Sequence, residues 1–329
     1  MQQPPIGIVV NPSSGKDVRR LVARASVIDN REKGAIVRRA LVGAINAGAN
    51  SFCYMDDSHN ITGSALEELQ GAFESKRIPG PRTATALDTE HAAKQLKQAG
   101  CIATLILGGD GTNRVFVKGW REAVLLPLST GTNNVFPRFA EATIAGAALG
   151  LIATGIVPLE RVIEQVKIID IEIEGESPDI ALIDAVVTDE QFVGARAILD
   201  GESLRFALLT RAIPAAVGMT ALGGLVHPLA EQDRGGLFLK LGRGKRTVNA
   251  PIAPGLYQQI KVASAEAVDF GEYVELDGPC VIALDGERER VVKAGQKFRM
   301  KVSRAGPFVI DINKSMRFAA DCGAFVGEL

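Results

Sequence analysis

The apolar run Ile102-Ala103-Thr104-Leu105-Ile106-Leu107 ends in Gly108-Gly109-Asp110-Gly111-Thr112, and Asn113-Arg114-Val115-Phe116-Val117 follows with residues that can begin a helix. Strand, glycine turn and helix start bring bare backbone N–H groups against a phosphate. The glycines matter because a Cβ would block that approach and because such turns often need positive φ. Asp110 adds a carboxylate able to hold Mg²⁺ or to accept a proton from an attacking hydroxyl. The pentapeptide points to phosphoryl transfer, although Gly-Gly-Asp-Gly also makes a plain turn.

Two more loops share this form. Asn11-Pro12-Ser13-Ser14-Gly15-Lys16 follows the apolar run Ile6–Val10, and Ser129-Thr130-Gly131-Thr132-Asn133-Asn134 follows Val124–Leu128. Polar, glycine-bearing loops at the carboxyl ends of neighbouring strands converge at the ligand crevice of an open α/β sheet. A Walker A reading of Gly15-Lys16 fails. Val10 stands where its first glycine belongs, and Asp17 where its Ser or Thr belongs.

In order and spacing the three loops resemble those of the superfamily shared by NAD kinases and diacylglycerol/sphingosine-type lipid kinases. The stretches Asn11–Asn30, Leu107–Val115 and Pro127–Pro137 resemble more narrowly its acetoin-catabolism protein X branch, and the likeness runs over nearly the whole chain. It implies a kinase that transfers phosphoryl from ATP or polyphosphate, with Mg²⁺, to the adenosine ribose 2′-hydroxyl of NAD, giving NADP. Asn11, Ser13, Ser14, Gly15, Gly108, Gly109, Gly111 and Thr112 would hold phosphates. Thr130, Gly131, Thr132 and Asn133 would position the donor, and Asp110 would act through Mg²⁺ or as the base. The resemblance also implies a link to acetoin catabolism and a homo-oligomer, expected as a dimer.

The second half carries further elements of that resemblance. Thr188-Asp189-Glu190 stands where NAD kinases carry an Asn-Glu pair for the dinucleotide, making Asp189 and Glu190 candidate acceptor contacts. Gly218-Met219-Thr220-Ala221 with Gly223-Gly224-Leu225-Val226-His227-Pro228 is similar to a shortened NAD-kinase segment, which adds Gly218, Thr220, Ala221 and His227. Asp285-Gly286-Glu287 resembles the lipid-kinase element whose acid assists proton removal, so Glu287 joins Asp110 as a catalytic candidate; Asp-Gly is equally a hairpin turn. A lipid kinase and a non-catalytic nucleotide sensor are therefore the rival readings.

Composition fits an ordinary globular protein: 47% hydrophobic and 23% charged residues over 329 positions. A net charge of −1 argues against binding nucleic acid through overall positive charge. Cys53, Cys101, Cys280 and Cys322 form no C-x-x-C pair, and His59, His91 and His227 have no metal-ligand spacing, so no structural zinc is expected. The segment from Met1 to Pro5 has no basic region or cleavage site, and the Ala/Gly-rich run Ile144–Val157 is too short to span a bilayer. A cytoplasmic protein without membrane contact is the expectation.

Up to residue 158 strands and helices alternate, which predicts an α/β domain with a parallel sheet. Asp29 or Asn30 is expected to cap one helix, and Asp88 another. Beyond that point the alternating runs Val166–Gly175, Leu237–Gly242 and Lys297–Val302 predict an antiparallel β-sandwich over 159–305. Within it, Ile180–Val187 reads as one strand and Arg243–Arg246 as a solvated hairpin. Residues 306–329 are expected to return to the first domain.

Overall fold

β1 (Ile6–Val10), β4 (Ala103–Gly108) and β5 (Val124–Ser129) are buried along almost their whole length, as strands covered on both faces must be. The computed structural model describes residues 3–14, 28–69, 71–130, 134–189 and 202–326, with only the backbone of 287–289. These strands form the centre of a seven-stranded sheet. On one side β1 is followed by β2 (Ser51–Met55) and β3 (Glu74–Ile78); on the other, β5 is followed by β17 (Phe308–Ile310) and β6 (Ile163–Gln165). Every neighbouring pair is parallel except β17 with β6.

Helices cover both faces. α1 (Asn30–Asn46), α2 (Ile61–Glu67), α5 (Ala142–Ala153) and α7 (Ile312–Asp321) share one apolar cluster with Ile6, Ile8 and Leu105. α3 (Ala86–Gln98) and α4 (Asp110–Gly119) share another with Val9 and Ile106. α1 and α5 meet almost backbone to backbone: a Cβ on Gly43 would lie 1.9 Å from the Thr143 carbonyl oxygen. Asp29 caps α1 by accepting the Glu32 N–H at 2.8 Å. Thr85, not Asp88, caps α3; Asp88 instead accepts from the Thr83 and Ala84 N–H groups and fixes the turn before the helix. None of the described helices is long and apolar enough to cross a membrane.

The second half is antiparallel throughout. A four-stranded sheet runs β13 (Tyr273–Asp277), β16 (Lys297–Ser303), β7 (Ile168–Ile173), β8 (Asp179–Ala181). A six-stranded sheet runs β12 (Leu256–Val268), β11 (Gly236–Ala253), β10 (Leu204–Leu209), β9 (Asp184–Thr188), β14 (Cys280–Leu284), β15 (Glu287–Val292). Ile169, Ile171 and Met300 of the first sheet meet Val187, Leu208 and Ile282 of the second in one core, the packing of a sandwich. α6 (Met219–Val226) covers the other face of the larger sheet with Met219 and Leu222.

Two local expectations change. The run Ile180–Val187 is not one strand; it breaks at Leu182-Ile183, where the chain leaves the smaller sheet for the larger. Arg243–Arg246 is not a hairpin but an exposed irregularity inside β11, where Leu241 and Arg246 both face Val262.

Candidate active site

The three loops leave the carboxyl ends of three adjacent strands, and side chains tie them together. Asn11 Nδ2 donates to Thr112 Oγ1 at 2.9 Å, joining the first loop to the second. Thr130 Oγ1 donates to Ser14 Oγ at 3.3 Å, joining the third to the first. The Asp110 carboxylate accepts the N–H of Phe136 at 2.8 Å and of Val135 at 3.1 Å, joining the second to the third. Ser13 closes a tight turn by donating its N–H to Asn11 Oδ1 at 2.9 Å. Gly15, Gly131, Thr132 and Asn133 lie outside the described residues.

The glycine turn works at close range. A Cβ on Gly108 would lie 2.6 Å from Thr112 Cβ, so the strand-to-helix bend needs glycine there. Gly109 is the N-cap of α4 and contributes no side-chain bond, while Asp110 and Gly111 open the helix. The first turn of α4 thus presents backbone N–H groups and the positive end of its dipole to the crevice.

Asp110 sits in this crevice half-buried. Burial pushes its carboxyl up to about 7. The Phe136 and Val135 N–H groups and the Arg211 guanidinium oppose that rise, and the negative charge of Asp285 adds to it. A carboxylate with this affinity for protons is suited to general base work near neutrality.

Asp285 belongs to the β half and arrives by a different route. Asp285-Gly286 is the two-residue turn joining β14 to β15, with φ of +49° and +82°. Its buried carboxylate accepts the N–H groups of Leu182 at 2.8 Å, Ile183 at 2.7 Å and Asp184 at 3.1 Å. Those are the peptides at the end of β8 and the start of β9, where the chain passes from the smaller sheet to the larger. Burial raises the Asp285 carboxyl, and Arg114 on α4 draws it back. Thr210 pins the same segment from the other side, donating Oγ1 to the Leu182 carbonyl at 2.8 Å and its N–H to that of Ile183 at 2.9 Å.

Next to Thr210 lies Arg211, buried and ion-paired with Glu231 at 2.5 Å. Burial lowers its proton affinity, and the charge of Arg138 adds to that, while Glu231, Asp110 and Asp285 work against it. Lys167 is also fully buried, with Nζ donating to the Thr210 and Ala230 carbonyls at 3.0 Å each. Burial pulls it down to about 8. Sequence reasoning passed over both cations. The available signal was a single charge inside an apolar run: Leu208-Leu209-Thr210-Arg211-Ala212-Ile213 and Val166-Lys167-Ile168.

One buried ionic group fastens α4 to the β half. Asp179 lies 3.2 Å from Arg114, 3.0 Å from Lys118 and 3.4 Å from Arg290, which also pairs with Glu176 at 2.6 Å.

The acceptor candidates are dispersed. Glu287 opens β15 directly after Asp285-Gly286, and its side chain lies outside the described residues. Asp189 is exposed just past the opposite end of β9 from Asp184, roughly 16 Å along the chain at about 3.3 Å per residue, and pairs with Arg205 at 3.2 Å. Glu190 lies outside the described residues. Gly218 is the N-cap of α6 with φ of +76°, Thr220 and Ala221 are buried, and His227 is exposed at the far end of the helix. Thr220 Oγ1 has no hydrogen-bond partner. A separate groove of about 590 Å³ beside Glu172, Leu276 and Phe298 lies on the four-stranded sheet and shares no residue with the Asp110 cluster.

Comparison with known proteins agrees with this architecture. Residues 167–305 match the family described as "Acetoin catabolism protein X C-terminal domain". The chain is 34% identical over 331 residues to acetoin catabolism protein X of Cupriavidus necator, covering 96% of this chain and 92% of that one. Among solved structures, yeast NADH kinase complexed with NADH superposes with a TM-score of 0.54 at 10% identity, over 100% of this chain and 90% of that one. That superposition concerns the fold, an NAD kinase-like pairing of a parallel α/β sheet with antiparallel β-sheets. On the length and level of the sequence match, the chain belongs to the acetoin catabolism protein X family.

Proposed function

We propose that this protein is a phosphotransferase that moves a phosphoryl group from ATP or polyphosphate to the adenosine ribose 2′-hydroxyl of NAD. The observation that carries the reading is the interlocked trio of loops, Asn11 to Thr112, Thr130 to Ser14 and Asp110 to Phe136, over the amino end of α4. Phosphoryl transfer needs positioning and charge neutralisation far more than covalent help. The α4 N–H groups, Asn11, Ser14 and Thr130 would hold donor phosphates. Asp110 would take the proton from the attacking hydroxyl. Arg211, close enough to influence Asp110, would offset the negative charge gathering there.

Mg²⁺ fits this site as an ion held largely by substrate. Among the described residues no three His, Cys, Asp or Glu side chains cluster for a metal, and the Asp110 carboxylate already accepts two N–H groups. A magnesium ion commonly combines one or two carboxylates with substrate phosphates and water, an arrangement Asp110 could join. When bound, it supplies neutralisation of the donor oxygens.

NAD as acceptor is supported by the family and by the Gly218–Pro228 segment, and ligand-linked stability tests it. NAD or NADP at millimolar concentration is expected to raise the melting temperature, while diacylglycerol dispersions leave it unmoved. A shift with the lipid and none with the dinucleotide would transfer the reading to a lipid kinase.

A further inference from the structure

Lys33 lies in the first turn of α1 and is fully buried. Both facts are unfavourable to a cation. A lysine is almost never fully buried unless paired, and the amino end of a helix carries the positive pole of its dipole. The side chain is held there by oxygen atoms from the first loop. Nζ donates to the carbonyls of Asn11 at 3.0 Å, Pro12 at 3.0 Å and Ser14 at 2.6 Å, and lies 3.3 Å from Asn30 Oδ1.

The consequence reaches the other loops. With their carbonyls gathered on Nζ, Asn11 and Ser14 are fixed by their backbones. These are the residues whose side chains meet Thr112 and Thr130. The buried ammonium group bonded to these carbonyls also places a positive charge in a poorly screened interior. Lys33 therefore has two means of favouring a polyanion: it orders the loop, and its charge attracts.

We propose that Lys33 is a positioning residue for the phosphates of the donor, acting through the first loop without touching the ligand. The inference rests on the reading that this loop receives a donor phosphate. It assigns to Lys33 an effect on donor affinity and none on the acceptor, because the carbonyls of Asn11, Pro12 and Ser14 that it holds belong to the first loop.

Two variants separate bonding from charge. Lys33→Met keeps the length and loses both, whereas Lys33→Gln keeps an amide donor and loses the charge. Wild type and both variants are titrated with ATP and with inorganic tripolyphosphate by calorimetry, and KM is measured separately for donor and acceptor. The expected result is a donor affinity weakened by about tenfold or more in Lys33→Met, less in Lys33→Gln, with acceptor KM unchanged. Folded variants that bind both polyanions as wild type does would overturn the inference while leaving the donor reading intact. Failure of both variants to fold would assign Lys33 to stability alone and overturn it too. Absence of polyanion binding by the wild type would remove the donor reading, and this inference with it.

Discussion

The α/β half and the β half bring their polar groups to the crevice in opposite ways. In the α/β half the groups sit on contiguous loops at the ends of neighbouring strands, and they bond to one another across loop boundaries. In the β half they come from distant parts of the chain: Asp285 from a hairpin turn, Thr210 and Arg211 from just after β10, Lys167 from just before β7. There the contacts run through backbone, with Asp285 and Thr210 both holding Leu182-Ile183. The first arrangement suits recognition of a phosphate chain. The second suits fixing the height of a wall against which the acceptor would lie. Loss of a group should accordingly cost chemistry in the first half and stability in the second.

The largest effect is expected at Asp110. Asp110→Asn keeps the size and an oxygen acceptor but loses the base, and transfer should fall by about 10²–10⁴-fold. Stability should move the other way. Because the folded carboxyl titrates near 7 and an unfolded one near 4, the native state binds the proton more tightly across that interval. Ionisation therefore costs stability progressively as pH rises through it, and Asp110→Asn should gain melting temperature relative to wild type at pH 8 more than at pH 4. Scanning calorimetry at both values checks the sign. The rate of the wild type should rise with pH and level off above about 7, as the base ionises.

Asp179 tests the seam between the halves. Asp179→Asn leaves Arg114 buried beside a neutral amide, and breaking a buried pair in this way costs about 3–5 kcal/mol. Chemical denaturation measures it, and a loss under about 1 kcal/mol would mean that the seam is not held by these charges. Asp285→Ala should cost about 2–3 kcal/mol by stranding the N–H groups of Leu182, Ile183 and Asp184. If that variant lost transfer while keeping full stability, the contrast between the halves would collapse, since Asp285 would then belong with the chemistry.

The smallest effect belongs to Thr220. Its hydroxyl is buried without a partner, so Thr220→Val should leave stability unchanged or raise it by up to about 1 kcal/mol. The NAD-linked shift in melting temperature should weaken in this variant. A shift of wild-type size would remove Thr220 from the ligand site.

The same contrast explains what could be read in advance. Apolar runs ending in Asn11, Gly108 and Ser129 announce strands, and strand order in an open α/β sheet brings such ends together, so the loop cluster was legible locally. The β half was legible as alternating strands, but not as a site. Asp285-Gly286 advertises a turn, and nothing in its neighbours reveals that the carboxylate reaches peptides more than a hundred positions earlier. Arg211 carries no motif at all; its importance comes from being enclosed. The break at Leu182-Ile183 escapes a pattern reading because the residues stay apolar while the chain changes sheets. Thr85 replaces Asp88 as a cap because Asp88 bonds backward to Thr83 and Ala84.

Transfer of phosphoryl by the loop cluster to a dinucleotide hydroxyl can be followed by label. The intact protein is incubated with Mg²⁺, γ-labelled ATP and NAD, with polyphosphate as a parallel donor, and the products are separated and identified. Label is expected on the adenosine ribose as NADP, and none in Asp110→Asn. Bound ATP with no label on any dinucleotide, or label on diacylglycerol instead, would contradict that expectation.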